Sequence, residues 1–368
     1  MDSRCIPTRN HVYGVGKERA VVRELKPINE QVIVITGASS GIGLATARMA
    51  ARRGARLVLA SRSEESLTRL QEEIRQQGGE AVHVEADVSH EGDVERISSV
   101  AEDEFGGFDT WVNNAGVSIY GKLEEVPVED FRKLFETNFW GVVYGSLTAL
   151  RHLRTRGGTI INMGSVASDT AIPLQGMYSA TKSAVKSFTD ALRMEVESDR
   201  LPVSVTLIKP GVVDTPYAQH AKSYFEDVPT NPQPMYAPEV VARAILRCAE
   251  VPRAEVVIGG FGKLMSMAGR YAPRLRDLIY ERVAARMQHS GRPGRAGGPS
   301  SLEHASEDLR ERGGEATTTL ESSMYTQASL HPIVSGLMIV GGGVALAAVL
   351  RGMTGGARYD RRSAGARS

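Results

Sequence analysis

Apolar residues are arranged along most of the chain as short continuous runs separated by longer stretches with helical spacing. Val32–Ile35 form one such run, and the apolar residues after Gly43 recur at the spacing of an amphipathic helix. Further runs predict strands within residues 55–62, 81–87, 108–116, 157–165, 203–211 and 254–260. Because helical stretches with short connections separate these runs, the pattern predicts an α/β fold. Its doubly wound parallel sheet would have about seven strands, with helices on both faces.

Local signals place the ends of several of these helices. Ser63 is a good N-cap for a helix that a following Gly-Gly pair would end. Residues 126–153 are too long for one uninterrupted helix face, so we predict two helices that meet near Asn138. One amphipathic helix is predicted over residues 178–199, and another, with proline in its first turn, over residues 238–250.

The pattern changes after residue 260. The next stretch carries an apolar stripe surrounded by arginines, which we interpret as packing on the sheet or on a second subunit rather than as a membrane-surface helix. A long polar stretch then predicts a flexible linker. The predicted segments are a flexible N-terminal lead-in (1–30), the sheet domain (31–260), an amphipathic helical extension (261–288), the linker (289–332), an apolar segment (333–350) and a basic tail (351–368).

The overall composition argues against several classes of function. A net charge of +1, with no basic stripe interleaved with aromatic residues, gives no support for nucleic-acid binding. The two cysteines, Cys5 and Cys248, lack the spacing of metal ligands. We therefore predict neither a disulfide framework nor a metal site, and we expect a reducing compartment.

The turn from Thr36 to Gly43 is the first candidate site. Its three glycines allow a tight turn and a close approach of the backbone to a ligand, and the helix that follows offers unpaired N–H groups at its positive end. The turn therefore predicts a cradle for a diphosphate. A lone glycine pattern also occurs in ordinary turns, so this interpretation depends on the rest of the chain. The cradle residues would be Gly37, Ser39, Ser40, Gly41, Ile42 and Gly43.

A tyrosine and a lysine form the second candidate site. Tyr178 and Lys182 are four residues apart and share one helix face. Because a nearby ammonium group favours the phenolate, we expect Lys182 to lower the pKa of Tyr178 from about 10 toward neutrality. Such pairs also occur on ordinary surface helices. An acid/base role is favoured because Ser165 ends the preceding strand, at the edge where ligands of such sheets bind, and Asn138 lies at a predicted break between helices.

Taken together, these motifs resemble those of the short-chain dehydrogenase/reductase family, whose fold is Rossmann-like, over about residues 31 to 260. They occur in the family's order and spacing. The matching motifs are the TGASSGIG turn, Asp87 after the third strand, NNAG at residues 113–116, Asn138, Ser165, YSATK at residues 178–182, and Pro210-Gly211 followed by Thr215.

The resemblance implies a role for each matching residue. Tyr178 would be the general acid/base, Ser165 would polarise the substrate oxygen, and Lys182 would hold the nicotinamide ribose. Asn138 would support a water relay to Lys182. The other implied cofactor contacts are Asp87 and Val88 at the adenine, Asn114, Ala115 and Gly116 along the cofactor, and Pro210, Gly211, Val213 and Thr215 at the nicotinamide end. The family also implies a homodimer or homotetramer, paired through the long helices within residues 128–153 and 178–199.

The end of the second strand indicates which cofactor is used. An acidic residue there would select NAD(H), but this chain has Ser61 and Arg62. The planar guanidinium of Arg62 suits a 2′-phosphate, so we predict NADP(H) in preference to NAD(H). The alternative is that Arg62 is a solvated loop cation.

The sequence indicates less about the substrate than about the cofactor. The candidate pocket walls are residues 117–123, 166–177 and 216–236, which include several aromatic side chains. We expect a small-molecule carbonyl or secondary alcohol, apolar or lipid-like. A different class of function also fits the chain, namely a non-catalytic nucleotide-binding scaffold or sensor tethered to a membrane, although the intact set of catalytic residues argues against it.

Residues 333–350 carry no charged side chain and would span roughly 27 Å as a helix, about the thickness of a bilayer core. We interpret them as a membrane anchor rather than as a buried helix of the folded domain. The arginines that follow favour a cytoplasmic tail, whereas a nucleotide-dependent domain with free cysteines favours a cytoplasmic domain. We predict that the domain faces the cytoplasm and leave the topology open.

Overall fold

The computed structural model describes residues 25–260 and 262–264, the single residues 271, 274, 277 and 278, and residues 286–330 apart from 295, 299 and 307. Most of the predicted lead-in and of the helical extension therefore lies outside the described residues. The predicted anchor and the basic tail lie wholly outside them. Within the described part of the chain, no helix is long and apolar enough to cross a bilayer.

Thirteen strands and nine helices are described, not counting shorter helical turns. The strands are β1 (Val32–Thr36), β2 (Arg56–Ser61), β3 (Glu80–Glu85), β4 (Thr110–Asn113), β5 (Ile119–Tyr120), β6 (Gly158–Met163), β7 (Val203–Pro210), β8 (Lys222–Ser223), β9 (Asp227–Pro229), β10 (Met235–Tyr236), β11 (Glu255–Ile258), β12 (His289–Pro293) and β13 (Thr319–Leu320). The helices are α1 (Gly41–Arg52), α2 (Glu64–Gln76), α3 (Glu91–Phe105), α4 (Val128–Phe135), α5 (Gly141–Arg156), α6 (Gly176–Ser198), α7 (Tyr217–His220), α8 (Pro238–Glu250) and α9 (Met324–Leu330).

A seven-stranded parallel sheet forms the centre of the molecule, in the order β11-β7-β6-β4-β1-β2-β3. The chain runs outward from β1 to β3 and then crosses to β4 on the other side of β1. The carboxyl ends of β1 and β4 therefore flank the point where the strand order reverses, which is where such sheets bind ligands. The predicted Rossmann-like fold with about seven strands is confirmed.

Helices cover both faces of the sheet. Buried side chains of α1, α2 and α8 form one hydrophobic core against the sheet, and those of α3, α5 and α6 form a second core on the opposite face. Every residue of β1 is buried, as expected for a central parallel strand. The two cores fix the sheet, so the loops at its carboxyl edge start from a rigid base.

The helix ends follow the local signals closely. The side chain of Ser63 caps α2 by accepting a hydrogen bond from the backbone N–H of Ser66. The long segment before β6 divides into α4 and α5, which are joined by a π-helical turn over Glu136–Trp140. Asn138 lies in the middle of that turn, where two helices were predicted to meet. Such turns inside helices often mark functional positions.

The prediction of a flexible linker over residues 289–332 is wrong for the part that the structure describes. There, β12 pairs with β9, β13 pairs with β10, and α9 lies beside β11. The buried hydroxyl of Thr326 accepts a hydrogen bond from the backbone N–H of Gly259. This segment is held mainly by backbone hydrogen bonds and ion pairs, with Leu302 and Leu330 among its few buried apolar side chains. A search for apolar periodicity cannot detect contacts of that kind.

Candidate active site

A first cavity, of about 190 Å³, lies over the carboxyl ends of β1, β2 and β4. Most of the residues predicted to hold a dinucleotide line it. They are Gly37, Ser39, Ser40, Gly41, Ile42, Ser61, Arg62, Asp87, Val88, Asn114, Ala115, Gly116 and Thr215. Gly43 does not line this cavity and lies in the helix behind it. The fold thus brings together residues from five separate loops, as the resemblance implied.

The glycines of the first turn are required by close packing. Gly37 has a φ of +67°, and a Cβ there would lie 2.8 Å from the Cα of Ala115. A Cβ on Gly43 would lie only 2.1 Å from the carbonyl oxygen of Gly37. No side chain fits at either position without moving backbone, so the turn is shaped as a backbone-lined cradle that a Cβ would fill. A diphosphate fits such a cradle because it needs close approach to backbone N–H groups.

Asn114 joins the two strands at the switch point. Its side-chain amide donates to the carbonyl oxygens of Thr36, at 3.0 Å, and Gly37, at 3.1 Å. In return, the Thr36 hydroxyl accepts from the backbone N–H groups of Asn114 and Ala115. The side chain of Asn114 therefore holds the first turn against the end of β4.

Arg62 and Asp87, two of the residues predicted to contact the nucleotide, form hydrogen bonds within the protein. Nη2 of Arg62 donates to the backbone carbonyls of Ser301, at 2.5 Å, and His304, at 3.1 Å. The Asp87 carboxylate accepts hydrogen bonds from the backbone N–H and the hydroxyl of Ser89. Asp87 thereby fixes the turn after β3. Arg62 is held by Ser301 and His304, which lie in the segment that was predicted to be a linker.

A second cavity, of about 390 Å³, adjoins the first. Its walls include Ser165, Tyr178, Lys182, Pro210, Gly211 and Val213. Five residues line both cavities, namely Ile42, Asn114, Gly116, Thr215 and Tyr217. The two cavities therefore meet beside Tyr178.

Tyr178 lies in the first turn of α6, and burial raises the pKa of its phenol above the usual value. Hydrogen bonds from Tyr217 and Ser165 oppose that rise. The expectation that Lys182 lowers the pKa of Tyr178 toward neutrality is therefore wrong for this structure, because desolvation outweighs the stabilisation of the phenolate. The phenol keeps its proton at neutral pH.

Lys182 is buried one helical turn after Tyr178. Its Nζ donates to the carbonyl oxygen of Met163 at 2.9 Å and lies 5.8 Å from the centre of the Tyr178 ring. Burial lowers the pKa of Lys182 to about 8, so the ammonium form predominates at pH 7. The helix thus presents a protonated phenol and an ammonium group to the same cavity.

Asn138 is fully buried and does not line either cavity. Its side-chain oxygen accepts from the backbone N–H of Val117 at 2.8 Å, and its amide nitrogen donates to the Val117 carbonyl at 2.9 Å. The same nitrogen also donates to the hydroxyl of Thr181 at 3.2 Å. The side chain of Asn138 therefore ties the loop after β4 to α6.

Tyr217, which lies in one of the predicted pocket walls (residues 216–236), is a second tyrosine at this site. The Tyr217 ring meets the Tyr178 ring at 5.7 Å between centroids, and its hydroxyl lies 3.3 Å from the side-chain oxygen of Gln175. Gln175 in turn donates to the side chain of Gln288, from the segment after the sheet. Spacing alone gave no signal for this chain of contacts, because its members are distant in sequence.

Sequence comparison connects this geometry to known proteins. A sequence model described as short chain dehydrogenase matches residues 31–224. The chain is 46% identical over 321 residues to YxnA of Bacillus subtilis (strain 168), described as an uncharacterized oxidoreductase, and this match covers 86% of the chain and 90% of YxnA. It is also 37% identical over 231 residues to 11-beta-hydroxysteroid dehydrogenase A of Sesamum indicum. That match covers 60% of this chain and 65% of the plant protein, just under two thirds of its length.

Solved structures share the fold. An alcohol dehydrogenase of the archaeon Thermococcus sibiricus, in complex with 5-hydroxy-NADP, is 31% identical with a TM-score of 0.55, covering 62% of this chain and 95% of that one. A short-chain dehydrogenase/reductase of Burkholderia phymatum, in complex with NAD, is 27% identical with a TM-score of 0.61, covering 69% of this chain and 96% of that one. Both kinds of nicotinamide cofactor thus occur among the structural neighbours.

Proposed function

This chain belongs to the short-chain dehydrogenase/reductase family, and on that basis we propose that it is an NADP(H)-dependent oxidoreductase acting on an apolar ketone or secondary alcohol. The observation that carries the proposal is the position of Tyr178. Tyr178 and Ser165 line the second cavity together, and the Tyr178 ring packs against the ring of Tyr217, which lines both cavities.

The residues of the first cavity fit a dinucleotide. The glycine turn would hold the diphosphate, Asp87 and Val88 the adenine, and Arg62 with Ser61 a 2′-phosphate. Lys182 would hold the nicotinamide ribose, next to the second cavity. A nicotinamide cofactor supplies or accepts the hydride, which none of the protein's side chains can do.

In the proposed reaction, the protein's own side chains act on the oxygen atom of the substrate. When a carbonyl is reduced, negative charge develops on its oxygen, and Tyr178 can donate a proton to it while the Ser165 hydroxyl donates a hydrogen bond. The raised pKa of Tyr178 means that this proton is present at neutral pH. Each such donor contributes a few kcal/mol to lowering the barrier.

The second cavity supports an apolar substrate. Its walls include the side chains of Met163, Val166, Ile172, Val212, Val213 and Tyr236. Its volume of about 390 Å³ falls within the usual range for a small-molecule pocket. The similarity to a plant protein named 11-beta-hydroxysteroid dehydrogenase A supports an apolar substrate that is small enough for the second cavity.

NADPH consumption measured against a panel of carbonyl compounds tests this function. We expect turnover with steroid-like ketones and long-chain ketones and at least about tenfold lower kcat/KM with small polar ketones, because burial of apolar surface favours the larger substrates. Preference for small polar ketones would contradict the substrate class. Lack of turnover across the whole panel, with NADPH bound, would favour the non-catalytic alternative.

Changing Arg62 to aspartate should move the cofactor preference toward NAD(H). The substitution removes the guanidinium that would meet a 2′-phosphate and adds a carboxylate that repels it. We expect the ratio of kcat/KM for NADPH to that for NADH to fall about 10- to 100-fold. Arg69→Asp makes the same change of charge at an exposed position of α2 and should leave the ratio unchanged. An unaltered ratio in Arg62→Asp would refute the role of Arg62.

A further inference from the structure

The outer wall of the first cavity comes from a segment far along the chain. We define the strap as residues 300–306 and 308–314, all of which follow the central sheet in sequence. Ser301, Ala305 and Ser306 of the strap line the first cavity together with the glycine turn. The cavity is present with the strap in place, so the strap encloses the nucleotide site without filling it.

The strap contacts the phosphate cradle directly. The backbone N–H of Gly41, the first residue of α1, donates to the carbonyl oxygen of Arg310 at 2.8 Å. The first N–H groups of a helix have no partner within the helix. A carbonyl from the strap therefore satisfies one of these groups at the edge of the cradle.

The strap also holds the cation that would read a 2′-phosphate. Arg62 donates to the carbonyls of Ser301 and His304, which are neutral acceptors. Such acceptors fix the direction of the side chain without neutralising its charge. Arg62 therefore lines the cavity as an oriented cation, and the strap orients it.

Several anchors fasten the strap to the rest of the molecule. Leu302 is 6% exposed and packs in a cluster with residues that include Val117 and Leu134. Glu303 forms an ion pair with Lys222 at 2.7 Å, and its other carboxylate oxygen accepts from the hydroxyl of Ser300. The remaining anchors include a hydrogen bond between the side chains of Asp308 and His220, an ion pair of Glu311 with Arg48, and a hydrogen bond from the Gly313 N–H to Asp214.

From these contacts we propose that the strap is a working part of the cofactor site, which orients Arg62 and slows the release of a bound dinucleotide. The proposal rests on the proposed function, since it needs a nicotinamide nucleotide in the first cavity. Release requires the strap to open, and opening breaks the bonds to Gly41 and Arg62 together with the anchors. The rate of nucleotide release therefore depends on how firmly the strap is anchored.

Two substitutions in the full-length chain loosen the strap without touching the cradle. Leu302→Ala removes its apolar anchor, and Glu303→Gln removes its ion pair with Lys222. In stopped-flow experiments that follow NADPH fluorescence, we expect the dissociation rate to rise about tenfold in Leu302→Ala and about threefold or more in Glu303→Gln. Turnover is not the readout, because Leu302 shares its hydrophobic cluster with Tyr178.

The matched control is Arg292→Gln. It removes an ion pair with Glu315, also at 2.7 Å, from the same polar extension but outside the strap. We expect its NADPH dissociation rate to equal that of the parent chain. If nucleotide and strap are coupled, saturating NADPH must also slow hydrogen exchange of the strap amides in the parent, because coupling between two sites is reciprocal.

The outcomes separate the two proposals. A parent chain that binds neither NADPH nor NADH overturns the proposed function and with it a role of the strap in nucleotide release. Tight binding, combined with a dissociation rate in both strap variants within twofold of the parent, overturns the strap proposal alone. If Leu302→Ala does not fold, Glu303→Gln decides the question.

Discussion

Replacing Tyr178 by phenylalanine should reduce kcat/KM for carbonyl reduction about 1000-fold while leaving the affinity for NADPH within a few-fold of the parent chain. The substitution keeps the ring that packs against Tyr217 and removes only the hydroxyl, which under the proposed function would donate the proton to the substrate oxygen. Steady-state kinetics and a fluorescence titration with NADPH measure the two effects separately.

Tyr144→Phe is the control for this experiment. Tyr144 stacks on Trp140 at 5.9 Å between ring centroids in α5 and lines neither cavity, so removal of its hydroxyl should leave kcat/KM unchanged. Equal activity in Tyr178→Phe and in the parent would remove Tyr178 from the reaction. In that case the protein would be better described as a nucleotide-binding protein of the same fold.

Under the proposed function, the protonation state of Tyr178 determines how each direction of the reaction would begin. Burial keeps its phenol protonated, so the group is ready to donate a proton, as reduction requires. Oxidation of an alcohol requires the opposite, a phenolate that accepts a proton. The nearby Lys182 keeps its charge at pH 7 despite the lowering of its pKa to about 8. Under the proposed function, reduction would start from the phenol in the state that the free protein holds, whereas oxidation would first require its deprotonation.

Local signals in the sequence were sufficient for the elements that build the sheet and its helices. The bounds of α8 coincide with the predicted residues 238–250, because Pro238 fits the first helical turn and an apolar face continues to the end. Ser63 caps α2 through its own side chain, an interaction within four residues. Contacts between residues that are close in sequence can be predicted from the order of residue types.

Polar contacts between residues that are distant in sequence could not be predicted in this way. Arg62 and Ser301 are 239 positions apart, and nothing in the spacing of either residue links them. The strap was assigned to a linker because few of its residues are apolar, although ion pairs and backbone hydrogen bonds hold it in place. The pKa of Tyr178 was misjudged for a related reason. The pair with Lys182 is visible in the sequence, whereas the burial that outweighs it depends on the whole fold.

The Gly43→Ala substitution tests whether the cradle depends on close backbone packing. Alanine favours a helix over glycine by about 0.8–1.0 kcal/mol, which alone would stabilise α1. The new Cβ, however, would lie 2.1 Å from the Gly37 carbonyl oxygen and 2.6 Å from the Asn114 side-chain nitrogen, so α1 or the first turn has to move. We expect overpacking to outweigh propensity, lowering the free energy of unfolding by about 2 kcal/mol and weakening NADPH binding at least tenfold.

Gly92→Ala provides the comparison, because it introduces the same methyl group near the start of another helix. Gly92 is exposed in α3, and a Cβ there meets nothing within 4 Å. Denaturant unfolding should therefore show this variant to be as stable as the parent or more stable by about 0.5 kcal/mol, with unchanged NADPH affinity. If both variants bound NADPH as the parent does, the backbone of the first turn could shift without loss of affinity, and a rigid diphosphate cradle would no longer explain why glycine occupies position 43.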